Sequence, residues 1–139
     1  MSIKKNSRSG IFLIEIILAI LFFALASSVC LSFFAESRQL SADAADLNNA
    51  VAASITVSEA FQGSDTPEAA ARAVKMSFDN AEVSASHGEI NLDEDGLILV
   101  YDVSPSSQVA GITCIAISVK KDAEVVYDLI REVYYEEKF

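Results

Sequence analysis

Residues 10–35 read GIFLIEIILAILFFALASSVCLSFFA. The predicted fold and membrane topology of the chain depend on this apolar stretch. A helix needs about 20 apolar residues to cross a bilayer at about 1.5 Å per residue, and the stretch is longer than that. It is therefore predicted to be a transmembrane helix. Lys4, Lys5 and Arg8 precede it, and positive charge collects on the cytoplasmic side of such a span. We expect a cytoplasmic N-terminus and an exported domain over residues 36–139.

A single acidic residue, Glu15, interrupts the apolar stretch close to its start. An ionised carboxylate at the centre of a bilayer costs on the order of 2.5–3.5 kcal/mol, and such residues usually have a partner. No Lys or Arg lies between Ile11 and Glu36. Glu15 either lies near the headgroups, where it stays hydrated, or pairs with a cation from another subunit or from processing of the chain.

The segment SGIFLIE, residues 9–15, follows a short basic leader and resembles the cleavage and methylation signal of type IV pilins and of type II secretion pseudopilins. The resemblance implies that a prepilin peptidase cuts after Gly10 and that residues 1–10 are the leader. It implies that Ile11 becomes a methylated N-terminus and that Glu15 pairs with the α-amine of a neighbouring subunit. The cut would create that amine, and a poorly hydrated carboxylate gains most from such a partner.

The same resemblance implies an α+β, pilin-like fold in which a long N-terminal membrane-spanning helix, residues 11–35 and onward, packs on a small antiparallel β-sheet. It implies a structural subunit of a type IV pilus, type II secretion or DNA-uptake filament. The implied partners are other pilin or pseudopilin subunits, the prepilin peptidase, an assembly ATPase and a platform membrane protein, with no cofactor. The implied location is the cytoplasmic membrane before assembly and a cell-surface or periplasmic filament after it.

Two other interpretations of the apolar stretch are open. A secretory signal peptide has a basic start, an apolar core of about 7–15 residues and small residues at its cleavage site. Ala24-Leu25-Ala26 fits such a site, although the apolar run continues to Phe34. A single-pass anchor carrying an exported sensor or ligand-binding domain explains the orientation but not Glu15. Cleavage after Gly10 distinguishes a filament subunit from both.

Residues 36–61 contain no Gly or Pro and are predicted to continue the membrane helix as an amphipathic helix. One apolar stripe recurs every three or four residues and is expected to face the domain: Leu40, Ala44, Leu47, Val51, Ile55, Ser58 and Phe61. A short second helix is predicted over about residues 66–77. Asp65 or Thr66 would cap it, and Pro67 lies in its first turn.

The periodicity changes from helix to strand beyond this second helix. The expected strands lie near residues 83–85, 89–92, 97–103, 112–120 and 125–135. Turns connect neighbouring strands, so the sheet, at about 83–135, is predicted to be antiparallel. In the last strand a buried face is expected from Val125, Tyr127, Leu129, Val133 and Tyr135.

Asn91, Asp93, Asp95 and Gly96, followed by Asp102, approximate the calcium loop of an EF-hand. The residues after the glycine alternate as a strand does, whereas an EF-hand continues into a helix. Acidic residues and glycine also form ordinary hairpin turns, and a turn is the preferred interpretation. Calcium binding by Asn91, Asp93, Asp95 and Asp102 is the alternative.

The formal net charge is −10, and loss of the three basic leader residues would make it −13. Binding of nucleic acid through net charge is therefore not expected. Cys30 in the membrane span and Cys114 in a strand are not expected to pair. His87, the only histidine, is expected in an exposed loop, without the motif of a hydrolase or a zinc site. An enzymatic role is not expected.

Overall fold

The computed structural model describes residues 3–93 and 95–135, with side chains from Arg8 onward. The elements in chain order are α1 (Ile3–Gln62), α2 (Pro67–Ser77), β1 (Ala81–Val83), β2 (His87–Asn91), β3 (Leu97–Pro105), β4 (Ile112–Lys121) and β5 (Glu124–Tyr134). The class is α+β, with a long N-terminal helix that packs on a five-stranded antiparallel sheet. The chain divides into two compact units, Met1–Ala42 and Asp43–Phe139.

The first unit consists of the N-terminal part of α1. Every large apolar side chain from Ile11 to Phe34 is exposed, from 40% at Ile16 to 75% at Phe23. Among the described residues, α1 is the one helix whose length and composition would allow it to cross a membrane. Contiguous apolar surface of this extent is normally covered by lipid or by another protein.

The second unit is built on a sheet of strand order β1-β2-β3-β4-β5, so every strand pairs with its neighbours in the sequence. The alternate buried residues of the two strands β3 and β4 are Leu97, Leu99, Tyr101, Ile115, Ile117 and Val119. Alternation places them on one face of the sheet. They form one hydrophobic core with α2 and with the part of α1 that belongs to this unit.

The helix face that covers the sheet differs from the predicted apolar stripe. The buried residues of α1 are Ala50, Ala53, Ser54, Val57, Ser58 and Phe61. Leu47 and Ile55 are each 44% exposed, and Leu40 is 70% exposed. Four of the six buried side chains are small, so the inner face of the helix is less apolar than the predicted stripe. The expected burial of Leu40, Ala44, Leu47 and Ile55 is wrong, Val51 is half-buried, and the expected burial of Ser58 and Phe61 is confirmed.

A β-bulge changes the predicted face of β5. Val119 pairs with Tyr127 and Lys120 pairs with Val125, which leaves Val126 as an extra residue. The alternation of side chains shifts there, so Val126 packs against the core and Val125 is 53% exposed. The expected burial of Val125 is therefore wrong. The other residues predicted for this face do pack in or against the core: Tyr127, Leu129, Val133 and Tyr135.

α2 contacts β1 and covers that side of the sheet. Thr66 is its N-cap, and Thr66 Oγ1 accepts a hydrogen bond of 3.3 Å from the backbone N–H of Ala69. Pro67 and Glu68 follow in the first turn, where a missing N–H and a negative charge are both favourable. Val74 is fully buried and joins the helix to the core.

Candidate functional site: the Gly10–Glu15 segment

Gly10 lies inside α1, and the described structure does not require a glycine there. Apart from its chain neighbours and the backbone of its own helix, a Cβ built on Gly10 would meet no described atom within 4 Å. The backbone at this position is helical, which any L-residue tolerates. Glycine weakens a helix by roughly 1 kcal/mol relative to alanine. Gly10 therefore weakens its own helix without relieving a contact among the described residues.

Glu15 follows Ile11 by one helical turn. Its side chain is exposed, and among the side chains that the structure describes it has no ion pair or hydrogen bond. The nearest basic residues along the sequence are Arg8 and Arg38. Neither has the three- or four-residue spacing that brings side chains together on a helix. The side chains of Lys4 and Lys5 lie outside the described residues.

The surroundings of Glu15 favour pairing with an external cation. All of its neighbours at helical spacing are apolar, so they offer it no hydrogen bond. The attraction between two unit charges about 4 Å apart rises from about 1 kcal/mol in water to about 4 kcal/mol at the effective dielectric constant near a protein surface. A cation that another molecule presented at this level of the helix would therefore be attracted strongly.

Asp93, from the predicted calcium pattern, holds the turn between β2 and β3. Its Oδ1 atom accepts backbone hydrogen bonds from Asp95 at 3.1 Å and from Leu97 at 2.8 Å. In the described part of the chain, which omits Glu94, no three His, Cys, Asp or Glu side chains are grouped so that they could hold a metal ion. The local geometry is that of a hairpin turn stabilised by an aspartate.

Asp102, the last residue of that pattern, lies away from the turn. Asn91 pairs with Ile98, and the four further residues of β3 place Asp102 roughly 13 Å along the strand. Asp102 Oδ1 lies 2.7 Å from His87 Nδ1, and both side chains are more than half exposed. His87 is the first residue of β2, so its expected loop position is wrong and its expected exposure is confirmed.

An ion pair that the sequence did not predict joins α1 to the last residue of β4. Lys121 Nζ donates a hydrogen bond of 2.6 Å to Asp46 Oδ2, and the two side chains are only 29% and 18% exposed. This hydrogen bond raises the pKa of the Lys121 ammonium; burial opposes the effect, and the charges of Asp46, Asp93 and Asp95 reinforce it. The pair links the sheet to α1 close to Asp43, the residue at which the second unit begins.

Comparisons of the chain with family profiles, curated proteins and solved structures found no match. The class that the fold and the segment define is an α+β protein with one candidate membrane-spanning helix. Gly10 and Glu15 both lie within that helix.

Proposed function

We propose that the chain is a structural subunit, pilin-like or pseudopilin, of a type IV pilus, type II secretion or DNA-uptake filament, and that it assembles after its leader is removed. Glu15 carries the proposal, because it is an exposed carboxylate on an apolar helix without a partner among the described side chains. Gly10 supports the proposal independently, since the helix does not need a glycine there. A peptidase that cuts between Gly10 and Ile11 gives both residues a role.

Cleavage supplies the cation that Glu15 lacks. Hydrolysis leaves a carboxylate on Gly10 and a free amine on Ile11, and protonation of that amine gives a cation at the start of the apolar stretch. Ile11 lies one turn, about 6 Å, from Glu15 along the helix axis. A modest axial shift between parallel helices therefore brings the amine of one subunit beside Glu15 of the next. The pair then sets the axial register of neighbouring subunits.

The proposal includes a membrane topology and a set of partners. The N-terminus is cytoplasmic before processing, α1 spans the membrane once, and residues 36–139 are exported. The basic residues before the span support this orientation. The second unit has its own hydrophobic core, which supports independent folding outside the membrane. Its proposed partners are other subunits, the prepilin peptidase, an assembly ATPase and a platform membrane protein.

Processing of the full-length chain tests the proposal. Made together with an active prepilin peptidase, the chain should lose residues 1–10, and mass analysis of the N-terminal peptide should show a methylated Ile11. Gly10→Val should prevent the cut, because the peptidase has to accommodate the residue before it. Ala19→Val adds similar bulk within the apolar stretch and should be processed normally.

Two outcomes would replace the proposal with another function. Cleavage after Ala26 would identify an ordinary secretory signal peptide. A wild-type chain that stays intact beside an active peptidase would favour a single-pass anchor with an exported sensor or ligand-binding domain.

A further inference from the structure

The bond that the proposed peptidase cuts lies in the interior of a helix. α1 begins at Ile3 and continues without interruption to Gln62, so helical turns flank Gly10 on both sides. In an α-helix the carbonyl of residue i accepts a hydrogen bond from the N–H of residue i+4. The carbonyl of Gly10 is thereby engaged by the N–H of Ile14, and the next turn of the helix covers it.

Hydrolysis makes demands that this geometry does not meet. A water molecule adds to the carbonyl carbon of Gly10, the bond from that carbon to the nitrogen of Ile11 breaks, and the departing nitrogen takes a proton. The products are a carboxylate on Gly10 and an amine on Ile11. Both the carbonyl and the nitrogen have to be accessible to the peptidase, whereas the helix engages each of them in its own hydrogen bonds.

We propose that residues 9–11 leave the helix before cleavage, and that Gly10 sets the rate of cleavage by making this unwinding easier as well as by being small. The inference rests on the proposed function. It assigns Gly10 a conformational role. This role can be tested separately from the size of the side chain, because an alanine would fit there without a clash.

The position of the bond also favours unwinding. Arg8 and Ser9 are polar, whereas the uninterrupted apolar run begins at Ile11. Backbone groups released within hydrocarbon have no water to bind, and each unsatisfied group is costly there. The bond between Gly10 and Ile11 therefore lies at the last place along the span where water or a polar enzyme can satisfy the released groups. Ser9 and Gly10 are both weaker helix formers than alanine.

The expected magnitude follows from helix propensity. Replacing a helical glycine with alanine shifts the equilibrium between unwound and helical backbone about fivefold toward the helix. If opening precedes cleavage, Gly10→Ala slows cleavage by about the same factor. A second change that weakens the helix beside the bond, Ser9→Gly, should then recover part of the rate, by about twofold, because serine is already a weaker helix former than alanine. A peptidase that responded only to the size of residue 10 would gain nothing from Ser9→Gly.

The experiment measures the initial rate of leader loss on gels, with the full-length chain in membranes that contain an active prepilin peptidase. Wild type, Gly10→Ala, Gly10→Ala with Ser9→Gly, and Gly10→Ala with Ala19→Gly are compared. We expect Gly10→Ala to be about fivefold slower than wild type, Ser9→Gly to raise that slower rate about twofold, and the distant Ala19→Gly to leave it unchanged. Hydrogen exchange at the Ile14 amide, measured on the full chain in detergent, should be slower in Gly10→Ala than in wild type.

The outcomes separate this inference from the proposed function. Equal rates for Gly10→Ala and wild type, no rescue by Ser9→Gly, or equal rescue by Ala19→Gly would each overturn the conformational role while wild type is still cleaved. Failure of the peptidase to cut the wild-type chain would overturn the proposed function, and this inference with it.

Discussion

The ring of Tyr101 lies directly over the backbone of Gly88, its partner across strands β2 and β3, so a Cβ on Gly88 would overlap the ring. Tyr101 is fully buried, and its hydroxyl donates a hydrogen bond of 2.8 Å to the carbonyl oxygen of Ser84. Its ring also packs edge-on against Phe61 at a centroid distance of 5.2 Å. Contacts on several sides hold the ring in place, and only glycine leaves room for it.

Gly88→Ala should therefore lower the free energy of unfolding by about 1–3 kcal/mol, the usual effect of overpacking a core. A fragment of residues 36–139 contains every residue of the core and allows urea unfolding to be followed without the apolar stretch. In a Tyr101→Leu background the added methyl group has space, and the loss should be much smaller. An equal loss in both backgrounds would show that the ring of Tyr101 is not the cause.

Alkaline pH should destabilise the second unit, because burial raises the pKa of Tyr101 to about 12. An unfolded tyrosine has a pKa of about 10, so the unfolded chain ionises first as the pH rises. The stabilising contribution is complete below pH 10 and is lost as the pH rises through the folded pKa. From pH 10 to 12 the free energy of unfolding should fall by roughly 2–3 kcal/mol from this residue alone.

Tyr101→Phe serves as the control for this pH dependence. Burial and then the charge of Glu68 raise the pKa of Tyr135, and the pKa of Lys121 is raised as well, so some fall should persist in the variant. The variant should nevertheless lose less stability than wild type between pH 10 and 12 in urea titrations. Identical slopes would exclude Tyr101 as the main titrating group.

The ion pair between Lys121 and Asp46 should contribute to the stability of the second unit. Lys121→Met removes the cation and leaves the largely covered Asp46 carboxylate without its partner, which is unfavourable. Lys120→Met is the matched control, since Lys120 is the exposed preceding residue of the same strand. The melting temperature should fall in Lys121→Met and stay close to wild type in Lys120→Met. Equal melting temperatures for both variants would contradict a structural role for the pair.

Ser54→Ala should stabilise the second unit. Ser54 is fully buried, and its hydroxyl has no hydrogen-bond partner among the described residues. Alanine removes the unsatisfied hydroxyl and is also the better helix former, so a gain of about 1 kcal/mol is expected. Ser41→Ala, at an exposed position of the same helix, measures the contribution of helix propensity alone. A gain no larger than that of Ser41→Ala would mean that the hydroxyl of Ser54 is satisfied.

Local signals predicted α2, β3 and β4 well, whereas β1 lies at Ala81–Val83 and not at the predicted 83–85. Thr66 and Pro67 indicate the start of α2, which extends over Pro67–Ser77, close to the predicted 66–77. The strands predicted at 97–103 and 112–120 lie within Leu97–Pro105 and Ile112–Lys121, because the alternation of buried and exposed residues is visible in the sequence. Each of these signals involves residues only a few positions apart.

Features that depend on distant residues were missed. The apolar periodicity predicted burial of Leu47 and Ile55 because large apolar side chains favour burial, whereas the structure buries Ala50 and Ala53. The pair of Lys121 and Asp46 joins residues 75 positions apart, and no local pattern reveals it. Gly10 and Glu15 could be identified from the sequence because they lie close together in one helix. Their proposed partners belong to other molecules.

Recovery of the chain in sheared filaments tests the central claim most directly. Wild type, Glu15→Leu and the control Glu36→Leu, which removes a charge from α1 outside the apolar stretch, are expressed in cells that contain the assembly machinery. We expect all three to be inserted and to lose the leader, and we expect wild type and Glu36→Leu to be recovered in filaments while Glu15→Leu is strongly depleted from them. Absence of processed wild type from filaments, or recovery of Glu15→Leu at the wild-type level, would contradict the account.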